Sequence, residues 1–176
     1  MRSATEARRC SMSSNSQKTL LLDTNVWVDY YSNARPGHKA AFELVSLALK
    51  SGFDLLYAVG SAKDVFYLVS CDFKHASRRV CGGALSEEAA NAAKEMAWAV
   101  VRNMQSIATA VGCDQSDMWL AEKHRQVHDD FEDDLVIAAA MHSDAGCLVT
   151  NDEKLLRHCP VAALSVDDAV RFASMG

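Results

Sequence analysis

Four short apolar runs, each broken off by polar or capping residues and each followed by a helical pattern, constrain this chain more than any other feature. Thr19-Leu20-Leu21-Leu22 reads as a buried strand that stops at Asp23-Thr24-Asn25. Asp54 to Val59 repeats the pattern ahead of Gly60-Ser61, Ile107 to Val111 ahead of the capping residue Asp114, and Cys147 to Thr150 ahead of Asn151-Asp152. Val161 to Leu164 adds a last short strand, and Ser165 caps the final helix. Strands alternating with helices predict a parallel sheet with helices on both faces, an α/β fold. In such sheets ligands bind at the carboxyl ends of the strands.

Between these strands, helices are expected from Val26, over Lys39 to Lys50, from Ser61 onward, from Ser86 to about Met104, from Gln115 to Gln126 and from Phe131 to about Ser143. Cys71 to Gly83 is polar and basic without a clear period, and reads as irregular. Residues 1–17 are Ser/Arg-rich and aperiodic, which predicts a flexible tail, so residues 18–176 form the one folded domain. With 176 residues, 49% of them hydrophobic, the chain is long enough for one core. No apolar run approaches the roughly 18 residues that cross a bilayer, and no secretory leader is visible. A cytoplasmic protein with no membrane partner is expected. The six cysteines are scattered without metal-type spacing, and are expected to be buried and inert. A net charge of −5 supplies no general attraction for a polyanion.

Placing the acids on this topology is informative. Asp23 ends the first strand, Asp64 opens the helix after the second, Asp133 lies in the first turn of its helix, and Asp152 follows the fourth strand. All four belong at one edge of the sheet. Singly, each has a structural explanation. Ser61 and Asp64 have the spacing of a capping box, Asp23 and Asp152 suit N-caps, and Asp129-Asp130 with Glu132-Asp133-Asp134 suit a helix N-terminus. Converged, they repel one another. Two carboxylates at 4 Å cost about 4 kcal/mol at an effective dielectric near 20. A domain stable by about 5–15 kcal/mol needs a cation to hold several such pairs. Oxygen ligands without a histidine cluster point to Mg²⁺ or Mn²⁺ rather than zinc.

The strings Leu20 to Asp29, Asp130 to Ala140 and Leu148 to Asp152 resemble PIN-domain ribonucleases, a family that includes the VapC-like toxins. The resemblance covers roughly residues 19–165, its two ends being specific in combination and the stretch from about 70 to 128 not diagnostic. It implies a PIN-like three-layer α/β/α sandwich with a central, mainly parallel sheet. Asp23, Asp133 and Asp152 match the family's metal-binding acids, and Asp64 stands where the family more often has Glu. Thr24, Asn25 and Thr150 match supporting polar positions, with Asp130 as an accessory acid. Asp134 replaces a small residue and reads as surface charge.

The resemblance implies a metal-dependent endoribonuclease using Mg²⁺ or Mn²⁺. One ion activates water and the same or a second ion stabilises the leaving 3′-oxygen. It further implies RNA as substrate, a homodimer, and two open biological roles: a toxin restrained by a small antitoxin protein, or RNA processing without an inhibitor. Lys74, His75, Arg78 and Arg79 are the densest basic stretch and the candidate RNA contacts. Three other readings compete. An aspartyl-phosphate phosphatase wants D-x-D, but Asn25 stands at its second acid. A receiver domain wants paired acids after the first strand. A catalytically weak or inactive PIN-like module would serve only protein or RNA interaction.

Overall fold

The computed structural model describes residues 18–125 and 130–175. The tail expected over residues 1–17, and with it Cys10, lies outside the described residues, as do His128 and Asp129. The chain runs β1 (Thr19–Leu22), α1 (Thr24–Tyr31), α2 (His38–Lys50), β2 (Asp54–Ala58), α3 (Val59–Val80), α4 (Glu87–Ile107) and β3 (Thr109–Val111). It continues through α5 (Gln115–His124), α6 (Phe131–His142), β4 (Cys147–Val149), α7 (Glu153–His158), β5 (Ala163–Leu164) and α8 (Val166–Ser174).

The five strands form one all-parallel sheet in the order β3-β2-β1-β4-β5. β1 is central, and its three leucines are fully buried because both faces of the sheet are covered. Strand alternation sends Leu20, Leu22, Leu55, Tyr57 and Val149 into one core, with residues of α1, α2, α3, α4 and α8. Leu21, Leu56, Ala58 and Leu148 face the other way, onto Val136, Ala139 and Ala140 of α6. These are the three layers expected. Each buried leucine contributes about 1.5–3 kcal/mol.

The order also locates the ligand edge. From β1 the chain moves outward through β2 to β3, then returns to place β4 on the other side of β1. The switch point therefore lies between β1 and β4, where ligands of open α/β sheets bind.

Several details differ from the sequence reading. α3 does not begin after a bend at Gly60-Ser61. It begins directly at Val59, with Ala58 as N-cap, and continues to Val80. The basic stretch is therefore helical, because Val65 and Val69 bury one face of α3 and the helix packs along α4, where Phe66 meets Trp98 edge-on at 5.0 Å. Trp27 is fully buried amid Tyr30, Tyr31 and Tyr57 and is core. The five described cysteines are free thiols, but Cys81 and Cys113 are exposed and the other three half-buried. Among the described residues, no helix is long and apolar enough to cross a membrane.

Candidate functional site

At the carboxyl end of β1, the Asp23 amide still extends the ladder by donating to the Val149 carbonyl at 2.9 Å. Asp23 then occupies the N-cap position of α1, but its side chain makes no capping bond. The carboxylate is instead held from across the switch point. Thr150 Oγ1 donates to Asp23 Oδ2 at 2.8 Å, and Thr150 Oγ1 accepts from the Asp152 amide at 3.0 Å. Only 2% of Asp23 is exposed, and Thr150 is fully buried. Burial is the largest influence on Asp23 and raises its pKa, opposed by the Thr150 hydrogen bond and the nearby Thr24 amide, while the charge of Asp152 raises it further. Asp23 and Asp152 thus share one electrostatic environment.

Asp152 carries a second duty. Its Oδ1 caps α7 by accepting from the amides of Lys154 at 2.7 Å and Leu155 at 3.1 Å. Asp130 behaves likewise at α6, accepting from the Glu132 and Asp133 amides at 3.0 and 3.4 Å. That cap fixes the first turn of α6, in which Asp133 is half-buried.

Asp64 corrects an expectation. It forms no capping box with Ser61, because α3 starts earlier and both residues lie inside the helix. Ser61 Oγ instead accepts from Thr24 Oγ1 at 2.8 Å in a buried pair that ties the first turn of α3 to that of α1. Asp64 lies 3.2 Å from Lys63 Nζ and hydrogen-bonds Glu132. That hydrogen bond is the main reason the Glu132 carboxyl is pushed up to about 7, with burial and the charges of Asp64 and Asp130 adding to it. Glu132 was missed in the sequence because Asp133 beside it matched the expected pattern. Its helical spacing from Asp130 gave no hint of Asp64, 68 residues earlier by sequence number.

Asp134 is a second correction. Only 1% of it is exposed, so it is not surface charge. The end of α5 packs there, and Asp134 lines a shallow hollow with Arg125 and Glu122. Asn25 is exposed in the first turn of α1. Lys74, Arg78 and Arg79 sit ten to fifteen positions beyond Asp64 on α3, or about 15–23 Å along the helix at 1.5 Å per residue. They therefore lie far along α3 from the end of β2, where that helix begins.

Among the described residues, the acids of the sheet edge form no group of three whose ligand atoms lie within 4.8 Å of one another. Asp114, Asp117 and His142 do. In that group Asp114 and Asp117 make the capping box of α5, and His142 Nδ1 lies 3.2 Å from Asp117 Oδ1. Each side chain there has a structural task. The capping spacing of Asp114 and Asp117 is readable locally, whereas the approach of His142 depends on α5 packing along α6.

A PIN-domain family model matches residues 19–154. The chain belongs to the PIN-domain family, a family of nucleases. No curated protein sequence matches it. Among solved structures it is similar to VapBC2 from Rickettsia felis, a complex solved bound to a DNA fragment from its promoter. The TM-score is 0.56 at 16% identity, covering 84% of this chain and 98% of that one, a likeness of fold. Asp23 and Asp152 stand just past the carboxyl ends of β1 and β4, on either side of the switch point.

Proposed function

We propose that this PIN domain is a metal-dependent endoribonuclease that hydrolyses RNA phosphodiester bonds at the carboxyl edge of β1 and β4. One observation carries the reading. Asp23 is a buried carboxylate, oriented by Thr150 and pressed by the charge of Asp152. Such an arrangement is costly for folding alone and suits a cation. The donor set is oxygen-only and hard, which fits Mg²⁺ or Mn²⁺. Asp23, Asp133 and Asp152 would hold the ion, with Asp64 acting through water. A divalent ion bound there supplies a water of lowered pKa and charge for the departing oxygen.

The chain's own residues do the rest. Thr150 fixes the Asp23 carboxylate through its Oδ2. Asp130 sets the turn that presents Asp133, and the Thr24–Ser61 bond holds α3 beside α1. Lys74, Arg78 and Arg79 would hold phosphates of the RNA at a distance from the cut. A small antitoxin as partner is part of the same reading, supported by the likeness of fold to a VapBC complex; a homodimer belongs to it only through the family resemblance.

Incubating structured and unstructured RNA with Mg²⁺ or Mn²⁺ tests it, comparing wild type with Asp23→Asn. Cleavage by wild type and its loss in the variant are expected. Equal activity in both would sink the catalytic assignment and favour an interaction module.

A further inference from the structure

Beside Asp64 lies a cavity of about 360 Å³, at the carboxyl ends of β2 and β3 and against α6. Its size falls within the range of small-ligand sites, roughly 300–1,000 Å³. The inner wall is apolar and buried, formed by Ala58, Val111, Val136 and Ala139. The outer part carries two apolar side chains that folding leaves uncovered, Val59 at 49% exposure and Phe131 at 56%. Between them stand polar groups: the hydrogen-bonded pair Asp64 and Glu132, and Lys63, the basic residue on the wall.

This combination narrows the ligand. An exposed aromatic ring at a mainly apolar slot fits a flat group that stacks. Carboxyl oxygens at the rim fit amino donors on that group's edge, as Asp and Glu accept from the amino group of cytosine. A cation beside them fits a neighbouring phosphate. An unpaired nucleobase has all three features, and single-stranded RNA is read by splayed bases stacked on aromatic side chains. Asp64 lines the cavity and is also one of the acids of the proposed cleavage site, so this one residue links the two.

We propose that this cavity seats one unpaired nucleobase of the RNA next to the scissile phosphate, with Phe131 stacked on its face and Asp64 and Glu132 meeting its edge. The inference rests on the ribonuclease reading above and adds a substrate preference to it. Bases carrying an exocyclic amino group, adenine, cytosine and guanine, are favoured there over uracil. Lys63 neutralises part of the acidic rim and contacts the adjoining phosphate.

The test uses the full chain carrying Asp23→Asn, which lies off the cavity wall, in buffer with Mg²⁺. Fluorescein-labelled single-stranded RNA octamers, A-rich, C-rich and U-rich, serve as probes in fluorescence anisotropy. Adding Phe131→Ala should weaken binding of the A-rich and C-rich octamers on the order of 10-fold, the size of one lost stacking contact. Phe131→Trp should restore it, and the U-rich octamer should bind more weakly than the others throughout. Because Phe131 is exposed, a thermal midpoint near that of the parent is expected and shows that the effect is not unfolding. Unchanged binding in Phe131→Ala, as expected of a cavity that receives a protein side chain, overturns the proposal. So does the absence of binding by any octamer. The two readings fail separately: wild type that cleaves RNA while Phe131→Ala keeps the same affinity and base preference overturns the cavity assignment alone. Phe131-dependent binding without cleavage by wild type overturns the nuclease reading alone.

Discussion

Thr150 Oγ1 donates to Asp23 Oδ2 across 2.8 Å and so joins residues 127 positions apart, one at the end of β1 and the other just past β4. The same hydroxyl oxygen accepts from the Asp152 amide. A single buried side chain therefore sets the position of two site acids relative to each other. Thr150→Val keeps the shape and removes both bonds. It should cost about 1–3 kcal/mol in chemical denaturation, the usual cost of leaving buried polar groups unmet. Cleavage should fall about 10–100-fold, as for other groups that orient ligands. Thr150→Ser should recover most of both.

Asp23→Asn separates charge from shape. Folding raises the Asp23 pKa, so its ionisation works against the fold above the unfolded value near 3.8. That loss is complete once the pH exceeds the folded value. In EDTA at neutral pH the variant should melt at least as high as wild type. Millimolar Mn²⁺ should raise the wild-type midpoint and leave that of the variant nearly unmoved. Absence of any wild-type shift would count against a preformed cation site.

Much of this arrangement is legible in the sequence because it is local. The run Leu20-Leu21-Leu22 before Asp23 announces a buried strand and its end, and Leu148-Val149-Thr150 does the same before Asp152. What escaped depends on contacts between distant segments. Asp64 resembles a cap because Ser61 precedes it by three residues, yet α3 begins at Val59 as β2 turns directly into helix. Asp134 looks solvated until α5 packs along α6. The second half of α3 looks irregular because one narrow apolar stripe suffices where α4 covers it. Glu132 has no local signal at all, since its partner Asp64 arrives from another element.

Glu132 and Asp64 predict a pH dependence. Folding lifts Glu132 from 4.5 to about 7, chiefly through its hydrogen bond to Asp64. Across that window the folded chain keeps a proton that the unfolded chain has lost. Stability should therefore fall as pH rises from about 4.5 to about 7, then level off. Glu132→Gln should flatten this slope in thermal melts recorded over that range. Equal slopes in the two proteins would refute the coupling.

Gly37 answers a steric demand at the turn between α1 and α2. A Cβ there would lie 2.0 Å from Asp29 Oδ2. Asp29 cannot easily yield, because it is mostly buried, its carboxylate is held by Arg35, and its carbonyl lies 2.9 Å from His38 Nδ1. Gly37→Ala should destabilise by about 1–3 kcal/mol, a typical cost of overpacking. Combining it with Asp29→Ala should cost less than the sum of the single changes, because the clash is gone.

Asp152 is the acid for which capping and ligation must be told apart, since it does cap α7. Asparagine caps helices about as well as aspartate. Asp152→Asn should therefore keep the bonds to the Lys154 and Leu155 amides and leave the thermal midpoint close to that of wild type. It removes the charge that presses on Asp23, so any stability change in EDTA should be upward. Asp152→Ala, which loses the cap as well, should be less stable by about 1 kcal/mol. If Asp152 serves the reaction, both variants lose most RNA cleavage despite their different stabilities. If it serves only the helix, cleavage follows stability and Asp152→Asn stays active.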